Sequence, residues 1–164
     1  MASMAHAKSR PAKTVEDYLA LPDDVRAELI GGELYVTPAP TTGHQDAAGQ
    51  IYKVLDDYGV STGAGRAYIA PVDVYLPTGD IVQPDVVYVA QQNFHIIGDT
   101  IQGAPDLVVE VVSPSNAERD RFVKRRLFAR SHVPAYWIVD GRDRSIEALR
   151  LEGVGYQPEA YVQY

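Results

Sequence analysis

An α/β sandwich built on a mixed sheet is the fold class this sequence predicts, and three features predict it. Two strand-sized apolar runs, Leu107–Ser113 and Ala135–Asp140, flank a segment of helical periodicity from about Ala117 to Ser131. A connection of that length suits a right-handed crossover between parallel strands rather than a tight hairpin. Upstream, Arg66–Leu76 and Ile81–Ala90 alternate apolar and polar residues about the turn Pro77-Thr78-Gly79-Asp80, the pattern of an antiparallel hairpin. An amphipathic stretch from about Gly43 to Tyr58, with Ala47, Ala48, Ile51, Val54, Leu55 and Tyr58 in its apolar stripe, supplies a helix to cover such a sheet.

Taken in order, Thr14 with Asp17 three residues on reads as a helix N-cap, and Tyr18, Leu19 and Leu21 give a short apolar face ended by Pro22. A second short helix is expected from Asp23 to Leu29. Ile30–Val36 reads as a hairpin or a strand entered through Gly31-Gly32, with Ile30, Leu34 and Val36 on one face and Glu33 on the other. After a loop from Pro38, Thr41 or Thr42 caps the long helix, whose first turn holds His44 and which Gly59 is expected to end. Asp85 falls within the second strand of the hairpin, next to Pro84, which marks an edge, a bulge or a strand start. Gln91–Gly103 is a polar connection with a helical turn near Phe94. Ser113-Pro114-Ser115-Asn116 leads into the crossover helix. Beyond Asp140, a turn at Gly141–Arg144 precedes an outer strand, Ser145–Leu151, and the end with Tyr156 and Tyr161 is edge strand or loose tail.

At 164 residues the chain fits one domain, expected over residues 14–164, with Met1–Lys13 as a leader or tag remnant outside it. The absence of cysteine excludes disulfides, a thiol nucleophile and thiolate-bound zinc. No apolar run reaches membrane-spanning length and residues 1–13 lack a signal-peptide core, so a soluble, cytoplasmic protein is expected. A net charge of -7 and pI near 5.0 argue against nonspecific coating of nucleic acid, which rests on neutralising phosphates. Charge is nevertheless uneven. Arg119, Arg121, Lys124, Arg125, Arg126 and Arg130 outnumber Glu118 and Asp120 on the crossover helix, a face that suits solvent, a dimer surface or DNA.

Chemistry concentrates on Glu110, a carboxylate in the middle of an apolar strand. An unpaired buried carboxylate costs several kcal/mol at least, so it must meet a cation, a metal or dedicated donors. Alternation places it with Val108 and Val112, opposite Leu107, Val109 and Val111. Asp85 on a preceding strand would complete a carboxylate pair suited to a hard divalent ion such as magnesium. On the helical wheel Asp120, Val123, Lys124, Leu127, Phe128 and Ser131 share one arc, so Lys124 points with the apolar face. It either pairs with Asp120 or reaches the carboxylates on its long stem. The alternative for Glu110 is a buried ion pair that only ties strand to helix.

Val82-Gln83-Pro84-Asp85, then Pro105–Ser115, then Asp120, Lys124 and Val133–Asp140, in that order, resemble the Uma2 family, formerly DUF820. Gly32-Glu33-Leu34 and Pro40–Gln45 fit the same resemblance, which covers essentially Thr14 to Leu151. It implies the restriction-endonuclease-like fold of the PD-(D/E)XK superfamily, a three-layer sandwich with a central mixed β-sheet flanked by helices, and magnesium- or manganese-dependent hydrolysis of DNA. The motif's lysine is expected two residues after the acid, where this chain has Val112; the resemblance implies that Lys124 takes its place. It further implies that Asp85 and Glu110 bind the metal, with the Val111 carbonyl as third ligand. Lys124 would orient water or stabilise phosphate charge, with Glu33, His44 and Asp120 as accessory residues. A homodimer is expected because cutting both strands of a duplex calls for two sites.

Overall fold

The computed structural model describes residues 11–114 and 118–163, without the side chain of Asp120. Helix α1 (Val15–Leu19) begins at the expected cap, with Thr14 and Asp17 forming a reciprocal capping box. The helix expected over Asp23–Leu29 is instead β1 (Ala27–Ile30), which pairs with β2 (Glu33–Val36) across a tight turn. Gly31 and Gly32 both take positive φ (59° and 78°) there, the geometry that lets two residues reverse a hairpin. All of β1 is buried, and that burial outweighs the helical bias of its polar lead-in. The register also corrects the expected facing: Ile30 lies opposite Glu33, and Glu28 opposite Tyr35, so these four share a face while Leu34 lies on the other.

Helix α2 (Thr42–Thr62) is capped by Thr41 and runs past Gly59 to Gly63, whose φ of 69° closes it. Gly59 serves packing instead: a Cβ there would collide with the backbone of Gly65, so the helix lies directly against the first strand of the sheet beneath it.

Prolines divide the two expected hairpin strands. The first becomes β3 (Gly65–Ile69) and β4 (Val74–Tyr75), separated by Pro71. The second becomes β5 (Ile81–Val82) and β6 (Val86–Ala90), separated by Pro84. Neither proline can donate to a ladder, and the chain changes sheet at each. A short 3-10 helix at Gln91–Ile96 fulfils the helical turn expected near Phe94, and β7 (Ile101–Gln102) follows. The resulting five-stranded sheet has the order β2-β1-β5-β4-β7.

Strands β8 (Leu107–Val112) and β9 (Ala135–Asp140) are parallel, in register Leu107↔Ala135 to Val112↔Asp140, as the crossover predicts. The connecting segment opens with a π-helical turn, Arg119–Lys124, that passes into α3 (Arg125–Arg130). Strands β10 (Ser145–Glu152) and β11 (Gly155–Gln163) complete a six-stranded mixed sheet of order β11-β10-β9-β8-β6-β3. Leu107, Val109 and Val111 of β8 join the core under α2, with Ala48 and Ala67. Val108 and Val112 join the core containing Leu127, Phe128, Tyr136, Val74 and Val82, which unites α3 with the five-stranded sheet. Among the described residues no helix is long and apolar enough to cross a membrane.

Candidate active site

Three polar side chains, each nearly inaccessible to water, meet where the two sheets and the π-helical turn converge. Glu28 of β1 is 2% exposed, Glu110 of β8 2% and Lys124 3%. The Lys124 ammonium lies 2.8 Å from Glu110 Oε1 and 2.8 Å from Glu28 Oε1, bridging the carboxylates. Glu28 Oε1 also accepts the Gln83 N–H at 2.9 Å, whereas its buried Oε2 has no hydrogen-bond partner. Buried charges persist only when paired in this manner. The π-helical turn ends on Lys124; such insertions re-aim side chains and recur at functional positions.

Asp85 occupies the interruption between β5 and β6 created by Pro84. Its Oδ2 accepts the Val111 N–H at 2.8 Å and lies 3.1 Å from His44 Nε2. Thr41 anchors the first turn of α2 by accepting the His44 N–H, which holds His44 over the strand ends. Glu28, His44, Asp85, Glu110 and Lys124 all line one cavity of about 300 Å³, together with Arg26 and Arg119. Behind Glu28, Gln83 and Tyr18 both donate to Asp73 Oδ1 at 2.8 Å, fixing the Gln83 side chain while its N–H serves Glu28. Burial, then the bond to Asp73, pushes the Tyr18 hydroxyl pKa well up, so Tyr18 stays a proton donor.

Asp85, Glu110 and Lys124 thus lie on one cavity, with His44 in contact with Asp85. Glu33 does not join them: it is exposed and accepts the Tyr35 hydroxyl at 2.7 Å, because the two-residue turn sets it beside Ile30 at the rim of the hairpin. The side chain of Asp120 lies outside the described residues, as do Ser115, Asn116 and Ala117. Two arginines expected on a free basic face are engaged within the fold: Arg121 pairs with Asp140 at 2.9 Å, and Arg125 donates to the Tyr156 carbonyl at 3.0 Å.

Sequence reasoning missed Glu28. Its signal was the one that exposed Glu110, a lone carboxylate among apolar neighbours at strand spacing, in Ala27-Glu28-Leu29-Ile30.

Among the described residues no three His, Asp or Glu side chains converge closely enough to form a ready-made ion cage. The donor chemistry nonetheless suits a hard divalent ion: Asp85, Glu110 and Glu28 offer carboxylate oxygens on a common cavity, and one of those oxygens is buried without a partner.

Residues 15–164 match the family Uma2, described as "Putative restriction endonuclease". The chain belongs to the Uma2 family. The fold agrees: this Uma2 protein superposes with a TM-score of 0.77 on a crystal structure described as a "putative nuclease belonging to DUF820 from Anabaena variabilis". The two are 16% identical, over 88% of this chain and 83% of that one. A second solved structure, described as a DrdV-DNA complex, aligns with a TM-score of 0.46 and 15% identity, over 74% of the Uma2 chain and 10% of its own. No curated protein matches the Uma2 sequence.

Proposed function

We propose that this Uma2 protein is a metal-dependent nuclease that hydrolyses DNA phosphodiester bonds, working as a cytoplasmic homodimer. The observation that carries the reading is the meeting of Asp85, Glu110 and Lys124 on one cavity, from chain segments far apart in sequence. Asp85, Glu110 and the Val111 carbonyl would hold a magnesium or manganese ion, which when bound supplies Lewis acidity at phosphorus and a water of lowered pKa. The protein's own groups do the rest. His44 and the Val111 N–H fix the rotamer of Asp85. Lys124, held between Glu110 and Glu28, presents a positive charge where negative charge grows on the phosphate oxygens. Burial strengthens that interaction relative to water.

A catalytically silent interaction module is the second reading, and one observation favours it: Lys124 already neutralises Glu110 and Glu28 locally, as a purely structural ion pair would. Incubation of supercoiled DNA with the protein and magnesium or manganese separates the two. Nicking that is lost with EDTA and in Asp85→Asn and Glu110→Gln supports the nuclease. Intact DNA, together with no heat of magnesium binding in calorimetry, establishes the silent module.

A further inference from the structure

The cavity that holds the carboxylates also contains two guanidinium groups that the catalytic scheme leaves without a task. Arg26, on the residue before β1, and Arg119, first in the π-helical turn, both line it. Both are partly buried, and the Nε of each is buried with no hydrogen-bond partner. Neither makes an ion pair within 4.0 Å among the described residues, although Glu28, Asp85 and Glu110 share the same walls. Those acids are instead taken by Lys124, His44 and backbone N–H groups. An arginine half-withdrawn from water with unused donors bears a desolvation cost that a doubly accepting anion removes, and the two free oxygens of a backbone phosphate fit the planar guanidinium fork.

Arg119 is also held in place. Its guanidinium lies 5.4 Å from the centre of the Tyr35 ring, a cation–π contact. The Tyr35 hydroxyl in turn donates to Glu33 at 2.7 Å, which raises its pKa and keeps it protonated. Glu33 therefore acts at one remove from the site, through Tyr35 onto Arg119. At about 300 Å³ the cavity is at the small end of sites that enclose a ligand, and the Pro38–Thr41 loop walls it. A single backbone phosphate with its nucleotide is of a size to enter such a recess.

The geometry points to Arg26 and Arg119 as a two-guanidinium seat for one backbone phosphate of a DNA strand, beside the carboxylates. The seat positions substrate; it rests on the nuclease reading for the identity of the ligand. Its test is fluorescence anisotropy of a short labelled single-stranded DNA in EDTA, titrated at several salt concentrations. Arg26→Gln and Arg119→Gln are each expected to weaken binding about tenfold or more, the worth of a hydrogen bond to a charged group. Each should also lower the salt slope by roughly 0.7, the value for one phosphate contact on a single strand. Arg26→Lys and Arg119→Lys should retain the slope while losing part of the affinity, because the charge stays and the fork goes. Native melting temperatures establish that each variant is folded, and the lysine forms serve where a glutamine form is not.

Unchanged affinity and slope in folded Arg26→Gln and Arg119→Gln would overturn the seat, even if the protein cuts DNA. Arginine-dependent binding without metal-dependent cleavage would uphold the seat and overturn the nuclease reading.

Discussion

Lys124 sets the energetics at the residue scale. One ammonium serves two carboxylates at 2.8 Å, and none of the three has appreciable access to water. Removing the cation strands both acids in a dry interior, so Lys124→Met should cost about 3–5 kcal/mol, the penalty for breaking a buried pair from one side. Glu28→Gln should cost less, about 1.5–3 kcal/mol. Its amide oxygen can still accept the Gln83 N–H, and Lys124 keeps Glu110. Because the three groups act together, Lys124→Met on the Glu28→Gln background should destabilise by less than on the wild type. Urea unfolding of the two single variants and the double variant measures this directly. Additive losses would show that Glu28 and Lys124 do not interact in solution.

At the scale of elements, glycine and proline decide how the pieces seat. A Cβ at Gly65 would meet the Val89 carbonyl and the Tyr88 ring of β6, and one at Gly59 would meet Gly65 itself, so at this point α2, β3 and β6 close up on bare backbone. Gly65→Ala should force β3 away from the Val89 carbonyl and the Tyr88 ring of β6 and cost about 1–3 kcal/mol, the usual penalty for overpacking, readable as a lower urea midpoint. A second link joins the π-helical turn to β9. Burial alone would raise the Asp140 pKa, but the N–H groups of Asp143 and Arg142 and the Arg121 guanidinium outweigh it and hold the carboxyl below its ordinary 3.8. A depressed carboxyl stabilises the fold above its unfolded value, and that contribution is lost as pH falls through the folded value. Asp140→Asn should therefore lower the melting temperature at neutral pH and flatten its acid decline below pH 3.8. An acid decline as steep as the wild type's would show that Asp140 does not contribute there. Strand length governed what was legible at this scale. Leu107–Val112 and Ala135–Asp140 announce themselves because both faces are buried, whereas β4 and β5, two residues each, are too short to carry a period.

Across the whole molecule the site is a junction. Glu28 comes from the five-stranded sheet, Glu110 from the six-stranded one, Asp85 from the segment between β5 and β6 where the chain passes from one sheet to the other, and Lys124 from the π-helical turn of the crossover. Asp85, Glu110 and Lys124 could be named as candidates from sequence, through the apolar runs around Glu110 and Lys124 and through the family resemblance, with the partner of Lys124 left open between Asp120 and the carboxylates. Glu28 could not, because its role depends on a sheet whose other strands are scattered from Glu33 to Gln102 and paired by burial rather than by local pattern. That dispersion has a thermodynamic consequence. The carboxylates share a cavity only when both sheets are docked, so an ion held there binds the folded state and not the unfolded chain. Magnesium at a hundredfold excess over its dissociation constant should then add about 2.7 kcal/mol to global stability. For a domain of this size that amounts to a rise in melting temperature of roughly 5–11 °C. Calorimetric scans with magnesium chloride against sodium chloride of equal ionic strength isolate the effect, since screening by salt is common to both. Asp85→Asn with Glu110→Gln should abolish the difference while the variant still unfolds in one transition. A magnesium-specific rise that survives in that variant would place the ion elsewhere, and no rise in the wild type would show that these carboxylates hold no magnesium.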